Sequence, residues 1–179
     1  MRLRKVNDEV YVAEEPIVRV GADEVAFVKE QASKSRRGRA RICAHRSNDD
    51  PLHEMIIAMS SASYIRPHRH IDKAESFHIV EGSVDVAIFD ESGAVVDVIA
   101  LGEPGSGRDF YYRLSGSGFH TLLIRSQLLV IHEVTNGPFD PSRTIFAPFA
   151  PPEDEPDAAR DYMKRVSDEV ARHMRRASP

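Results

Sequence analysis

The sequence contains the run His68-Arg69-His70-Ile71-Asp72-Lys73-Ala74-Glu75, and Gly82 follows after six further residues. Alternate side chains of an extended segment point to the same side, so His68 and His70 are expected to direct their imidazoles together. The four residues between His70 and Glu75 suffice for a tight bend, and the aromatic and β-branched run 76–81 predicts a strand. A second strand is expected at 84–89, so that the motif forms a hairpin. Two imidazoles and one carboxylate suit a borderline divalent metal.

The spacing His-x-His, four residues, Glu, six residues, Gly resembles the first conserved motif of the cupin superfamily. The second motif of that family supplies one more histidine from a later strand. Here Gly-Ser-Gly-Phe-His at 116–120 occupies the corresponding place, and His120 opens an apolar run. The resemblance covers roughly 64–135. It implies that one divalent transition metal (Fe, Mn, Ni, Cu or Zn) is held by His68, His70, Glu75 and His120.

Further segments that resemble a narrower cupin family lie at 39–45, 64–70, Glu133 with 137–139, and 147–151. Together they are similar to the WbuC-type cupin metalloproteins, which are encoded near polysaccharide genes in many bacteria. This resemblance implies pocket roles for Arg41 and His45, and a role for Glu133 as the catalytic base. It implies a metal-binding β-barrel but no defined reaction.

Other polar residues near the motif are candidates for substrate contacts. Tyr64 and Arg66 precede His68 at alternate positions and are expected to reach the mouth of the pocket. Arg36, Arg37, Arg39 and Arg41 form a cluster, which is either a solvated loop or a clamp for phosphate or carboxylate groups. Cys43 has no partners for nucleophilic catalysis nearby in the sequence and is expected to be a small core residue.

Composition limits the classes of function. The chain has 179 residues, a formal net charge of −4 and a pI of about 6.1, which gives no argument for binding nucleic acid or a membrane surface. One cysteine excludes an internal disulfide framework. Polar residues at 7–9 stand where a secretory apolar core would begin, and no stretch approaches a membrane span. The expectation is a cytoplasmic protein.

The predicted architecture is mainly β: a cupin-type double-stranded β-helix, or jelly-roll barrel, with a short N-terminal helix and a C-terminal helix. Short strands separated by turn signals support it. The expected organisation is N-terminal strands and a helix packed on the barrel (1–40), the barrel with its metal site (41–140), and a Pro-rich connector with the C-terminal helix (141–179). Strands are expected at 10–12, 17–20, 54–59, 77–81, 84–89, 95–101, 110–114, 120–124 and 128–135, and helices at about 22–35 and 158–176.

Two classes of function fit these features. The first is an enzyme, a metal-dependent isomerase, epimerase or oxygenase (including a dioxygenase), acting on a sugar or sugar nucleotide in polysaccharide biosynthesis. The second is a non-catalytic module that senses or carries a small molecule. A divalent metal with one carboxylate leaves a net charge of about +1, so the ligand is expected to be anionic or polyhydroxylated. A closed, structural zinc site is the remaining alternative.

A homodimer is expected as well. The N-terminal strands and the C-terminal helix carry apolar residues beyond those that one small barrel needs, so either segment is a candidate interface.

Overall fold

The structure is a computed structural model that describes residues 1–116 and 118–177. Within these residues the chain forms twelve strands, two α-helices and one short 3-10 helix. The strands are β1 (Leu3–Asn7), β2 (Val10–Ala13), β3 (Arg39–Cys43), β4 (Leu52–Ser60), β5 (His68–His70), β6 (Glu75–Glu81), β7 (Ser83–Phe89), β8 (Val95–Gly102), β9 (Tyr111–Leu114), β10 (Phe119–Ile124), β11 (Leu128–Asn136) and β12 (Thr144–Phe146). The helices are α1 (Ala22–Lys34), α2 (Pro156–Ala177) and the 3-10 helix Pro141–Arg143.

The strands form two sheets that face each other. One sheet has the order β1-β2-β3-β4-β11-β6-β9, and the other has the order β12-β5-β10-β7-β8. All the pairings are antiparallel except that of β2 with β3. From β5 to β11 the chain moves repeatedly from one sheet to the other, which is the winding of a jelly roll. The predicted fold class, a mainly-β cupin-type jelly roll with two helices, is confirmed.

The expected hairpin of residues 77–81 and 84–89 is wrong, because β6 and β7 belong to opposite sheets. Gly82 makes the corner between them with φ of 87°, a left-handed conformation that favours glycine. A Cβ at this position would collide with the Leu128 carbonyl oxygen and the Ser126 hydroxyl. Residues 71–74 make a similar crossing from β5 to β6, so they place the histidines and Glu75 on facing sheets.

The main core lies between the two sheets, where alternate residues of each strand point inward. It is formed by Met59, Phe77, Ile79, Val84, Val86, Leu101, Tyr112, Leu122, Leu129 and Ile131. This core packs one part of the barrel interior, and a cavity occupies the part near β5.

Each helix covers the outer face of one sheet. Helix α1 buries the predicted apolar positions Val25, Val28 and Ala32 against the seven-stranded sheet. Helix α2 buries Tyr162, Val166 and Val170 against the five-stranded sheet. Among the described residues, neither helix combines the length and the apolar character that crossing a membrane requires.

The N-terminal strands extend the seven-stranded sheet at its edge. Strand β2 pairs with the edge of β3, and β1 pairs with β2. The expected strand at 17–20 is wrong: β2 already occupies the edge of β3, and the following segment carries the chain to α1.

Candidate metal centre

Three histidines converge on the inner face of the five-stranded sheet. His68 and His70 lie two residues apart on β5, and β10 pairs with β5 so that His120 lies opposite His68. One ligand nitrogen from each ring lies within 4.8 Å of the others. Alternation along a three-residue strand and one cross-strand pair therefore build the imidazole cluster that the spacing predicted.

Glu75 reaches this cluster from the facing sheet. Its Oε1 lies 2.9 Å from His120 Nε2, and its Oε2 lies 3.3 Å from His70 Nε2. The Tyr112 hydroxyl donates to Oε1 at 3.0 Å, which orients the carboxylate. All four residues predicted as ligands thus meet at one point between the sheets.

The hydrogen bonds of the ring nitrogens suit metal binding. His68 Nδ1 lies 2.9 Å from the Arg66 carbonyl oxygen, and His120 Nδ1 lies 3.2 Å from the Gly118 carbonyl oxygen. A carbonyl can only accept, so each Nδ1 carries the proton and each Nε2 offers a lone pair. His120 Nε2 is buried and makes no hydrogen bond, despite its proximity to Glu75. The residues present fit a divalent metal.

The charge states suit it as well. Burial lowers the pKa of His68 to about 4, with His120 contributing, so its imidazole is neutral at pH 7. Burial alone would raise the pKa of Glu75, but the imidazoles of His120 and His70 hold it well below its ordinary value. Burial likewise opposes the protonated form of His120, yet the adjacent Glu75 carboxylate raises the pKa of that histidine. Glu75 is therefore an ionised carboxylate ready to balance a cation.

The centre opens onto a cavity of about 930 Å³. Its walls near the histidines are mainly apolar, with side chains such as Met59, Phe77, Leu122 and Ile131. Besides the four candidate ligands, its polar lining includes Arg41, His45, His53, Lys73 and Glu133. An apolar wall strengthens electrostatic interactions because it excludes water.

Glu133 is a second carboxylate on the cavity wall, and its environment differs from that of Glu75. It lies on β11, between Met55 of β4 and Phe77 of β6 in the sheet register. Burial, together with the charge of Glu75, raises the pKa of Glu133 to about 7. At neutral pH this group can both give and take a proton.

The other predicted site residues divide into two groups. Arg41 and His45 line the cavity, whereas Tyr64 and Arg66 do not. The Tyr64 hydroxyl donates to the Pro151 carbonyl oxygen at 2.8 Å. The Arg66 guanidinium lies over the Phe146 ring, 5.0 Å from its centroid. Regular strand begins only at His68, so alternation does not extend back through Pro67, and Ile65 faces the cavity instead.

Two arginines of the predicted cluster are neutralised by carboxylates. Arg37 forms ion pairs with Glu9 and with Glu153, the latter at 3.1 Å. Arg39 pairs with Glu153 at 2.9 Å. These arginines tie the β1–β2 turn and β3 to the C-terminal connector. The structure favours a structural role for them over a free clamp for a ligand.

His53 and Lys73 line the cavity but did not stand out in the sequence. His53 precedes Met55 and Ile57 at alternate positions of β4, and all three line the cavity. That alternation was the available signal. Cys43 is buried with Val12 and Met55, as expected of a core residue. Ser117 of the second motif lies outside the described residues.

Comparisons with known proteins agree with the fold. The family described as "Domain of unknown function (DUF6016)" matches residues 20–101, a range that contains His68, His70 and Glu75 but ends before His120. No curated protein matches the chain. Protein SO0799 from Shewanella oneidensis superposes with a TM-score of 0.51 at 10% identity, covering 62% of this chain and 74% of that one.

Two solved structures whose titles identify cupin or oxalate decarboxylase proteins are more distant. Oxalate decarboxylase from Bacillus subtilis has a TM-score of 0.44 at 19% identity, covering 55% of this chain and 24% of that one. The cupin domain of Cnp3 from Schizosaccharomyces pombe has a TM-score of 0.42 at 8% identity, covering 55% and 64%. The chain therefore matches only about a quarter of the decarboxylase. The assignment to the cupin fold rests on the strand order described above.

Proposed function

We propose that the chain is a metal-dependent enzyme that acts on a small polar or anionic molecule. His68, His70, Glu75 and His120 would hold one divalent transition metal. The observation that carries the proposal is the convergence of three imidazoles and the Glu75 carboxylate at one point, beside a cavity that also contains Glu133. The set contains no cysteine, whereas structural zinc sites are usually rich in cysteine.

The protein side of the chemistry is a proton transfer by Glu133. Burial raises the pKa of this carboxyl, to about 7 in the metal-free site, which suits a group that accepts a proton from a bound molecule and returns it. The metal, when bound, would act as a Lewis acid that polarises an oxygen of the same molecule. Apolar neighbours such as Phe77 and Leu122 limit water around the reacting atoms. This division of roles suits isomerisation or epimerisation next to a carbonyl or hydroxyl group.

Charge and size support an anionic or polyhydroxylated substrate. Four ligands with one carboxylate leave the metal centre at about +1. Arg41 lines the same cavity and forms no salt bridge within the described residues. The similarity to WbuC-type proteins makes a sugar or sugar nucleotide of polysaccharide biosynthesis the first class to test.

Proton exchange with solvent gives a direct test. The metal-loaded protein is incubated in D₂O with a panel of sugars, sugar phosphates and nucleotide sugars, and the ligands are followed by proton NMR. For at least one compound we expect loss of a carbon-bound proton signal, abolished in Glu133→Gln at unchanged metal content. Glu54→Gln is the matched control, because Glu54 lies on β4 with its side chain away from this cavity.

Binding without exchange for every compound would contradict the enzymatic proposal. It would support instead a module that senses or carries its ligand. Exchange that persists in Glu133→Gln would remove this residue from the chemistry.

A further inference from the structure

A second polar cluster lies in the same cavity, away from the metal centre. We call His45, His53 and Lys73 the distal cluster. The sheet register separates it from the ligands, since Thr135 of β11 pairs with Glu75 on one side and with His53 on the other. Neighbouring strands lie about 4.8 Å apart, so the backbone of His53 lies roughly 10 Å from that of Glu75.

His53 is buried without a partner. Its exposed fraction is 4%, its ring lines the cavity, and its Nε2 has no hydrogen-bond partner within the described residues. Buried polar atoms nearly always have a partner, in the protein or in something bound to it. This nitrogen lies beside Gly137 in a ring that lines the cavity, so a ligand bound there is a candidate for the missing partner.

His45 adds a second imidazole beside His53. The two rings stack with centroids 4.0 Å apart and planes 4° from parallel. His45 Nδ1 lies 3.2 Å from both the N–H and the carbonyl oxygen of Glu54, so the Glu54 backbone can serve as donor or acceptor to it. Nε2 of His45 then faces a ligand as donor when Nδ1 accepts, and as acceptor when Nδ1 donates. Burial, followed by the effect of His53, lowers the pKa of His45, which keeps the ring neutral.

Lys73 supplies positive charge. Its side chain lines the cavity and forms no salt bridge within the described residues. This contrasts with Arg37 and Arg39, which are both paired with carboxylates at the other end of the cavity. The distal cluster thus combines a cation with imidazole nitrogens that have no protein acceptor or donor.

We infer that the distal cluster binds an anionic group, phosphate or carboxylate, at the far end of a ligand whose other end chelates the metal. The inference rests on the proposed metal site and adds a length and a terminal charge to the substrate. The strand backbones that carry His53 and Glu75 lie roughly 10 Å apart, a span that suits a six-carbon hydroxy acid or sugar with a terminal anion better than a three-carbon molecule.

Matched ligand pairs test the inference by calorimetry on the metal-loaded protein. Gluconate and 6-phosphogluconate share a chelating 2-hydroxy acid and differ in the distal phosphate. 2-Hydroxyhexanoate and 2-hydroxyadipate make the same comparison for a carboxylate. We expect at least one longer, doubly anionic ligand to bind about tenfold or more tightly than its partner, because charge-assisted hydrogen bonds are strong. The short pair, glycerate and 3-phosphoglycerate, should show no such gain.

Substitutions test whether His53 and Lys73 cause the preference for the doubly anionic ligand. His53→Leu and Lys73→Met should each reduce the preference to about threefold or less, while metal content and gluconate affinity stay unchanged, and His53→Gln should retain part of it. His78→Leu is the matched control, because His78 is exposed and lies on the opposite face of the same sheet.

Three results would be decisive against the inference. These are equal affinities within each pair for the wild type, a phosphate gain as large for 3-phosphoglycerate, and a preference unchanged in both His53→Leu and Lys73→Met. Failure of the proposed function has a different signature, in which the metal-loaded wild type binds none of the chelating acids.

Discussion

Two carboxylates share one cavity, and their surroundings drive their protonation in opposite directions. Glu75 is held ionised by His120 and His70, whereas burial and the charge of Glu75 raise the pKa of Glu133 to about 7. One group is thereby suited to hold a cation and the other to move a proton. This difference at the residue scale is the chemical basis of the proposed function.

The raised pKa of Glu133 has a consequence for stability in the metal-free protein. A carboxyl whose pKa rises from 4.5 to about 7 on folding favours the folded state below pH 4.5, and this contribution is lost as pH rises through 7. Glu133→Gln removes the titrating group. As pH is raised from 5 to 8, we therefore expect the free energy of unfolding of the wild type to fall by about 1–3 kcal/mol relative to that of the variant.

Urea unfolding of both proteins at pH 5 and pH 8, with metal removed by chelator, measures this difference in the free energy of unfolding. Glu54→Gln, on the outer face of the same sheet, should follow the wild type. If stability depends on pH in the same way in wild type and Glu133→Gln, burial does not raise the pKa of Glu133.

The sequence predicted the residues whose relation is local. His68, His70 and Glu75 could be placed because alternation along a strand and one tight bend fix their directions. The same alternation does not extend through Pro67, where no strand exists, and Tyr64 and Arg66 do not line the cavity. A pocket role was expected for His45, but its grouping with His53 and Lys73 was missed because the three come from separate segments that only the folded chain brings together.

At the scale of elements, the crossings at 71–74 and at Gly82 matter most. Each carries the chain from one sheet to the other, so the motif supplies ligands from both sides of the barrel. The sequence located both turns but did not show which strands pair with the strands on either side of them. A turn followed by a strand predicts a hairpin unless the more distant β10 and β11 are known to pair with β7 and β6 instead.

Helix α2 supports the strand that carries His120. Its buried Val170 belongs to the cluster that contains Phe119 and Leu123 of β10. Val170→Ala removes two methyl groups from a fully buried site, which costs roughly 2 kcal/mol of the free energy of unfolding. Urea denaturation measures the loss, and Lys164→Ala on the exposed face of α2 is the control. Equal stability of Val170→Ala and wild type would mean that α2 does not pack as described.

At the scale of the whole molecule, short strands and the motif spacing were enough for the fold class. The order of strands in each sheet was not predictable, because it depends on pairings between distant segments. The structure also narrows the expected dimer interface. Helix α2 buries Tyr162, Val166 and Val170 against its own barrel. In contrast, Val6, Ile17 and Val20 are 53%, 68% and 41% exposed.

We therefore predict a homodimer formed through the N-terminal strands and the segment that follows them. Light scattering at micromolar concentration should give about twice the chain mass of 20.1 kDa. The double variant Val6→Glu/Ile17→Glu should be monomeric, because burying charge at an apolar interface is unfavourable. Val96→Glu, which changes an exposed residue of β8, should remain dimeric. A monomeric wild type would refute the prediction.

Metal binding by His68, His70, Glu75 and His120 underlies the proposed function. Its most direct test is the metal content of protein purified without added metal, measured by mass spectrometry. We expect about one divalent transition metal per wild-type chain, most of it lost in His70→Ala and in His120→Ala. The melting temperature of these two variants should fall with their metal content, since a bound metal stabilises the folded state by mass action. His78→Ala should keep its metal. Full occupancy in both His70→Ala and His120→Ala would contradict the claim.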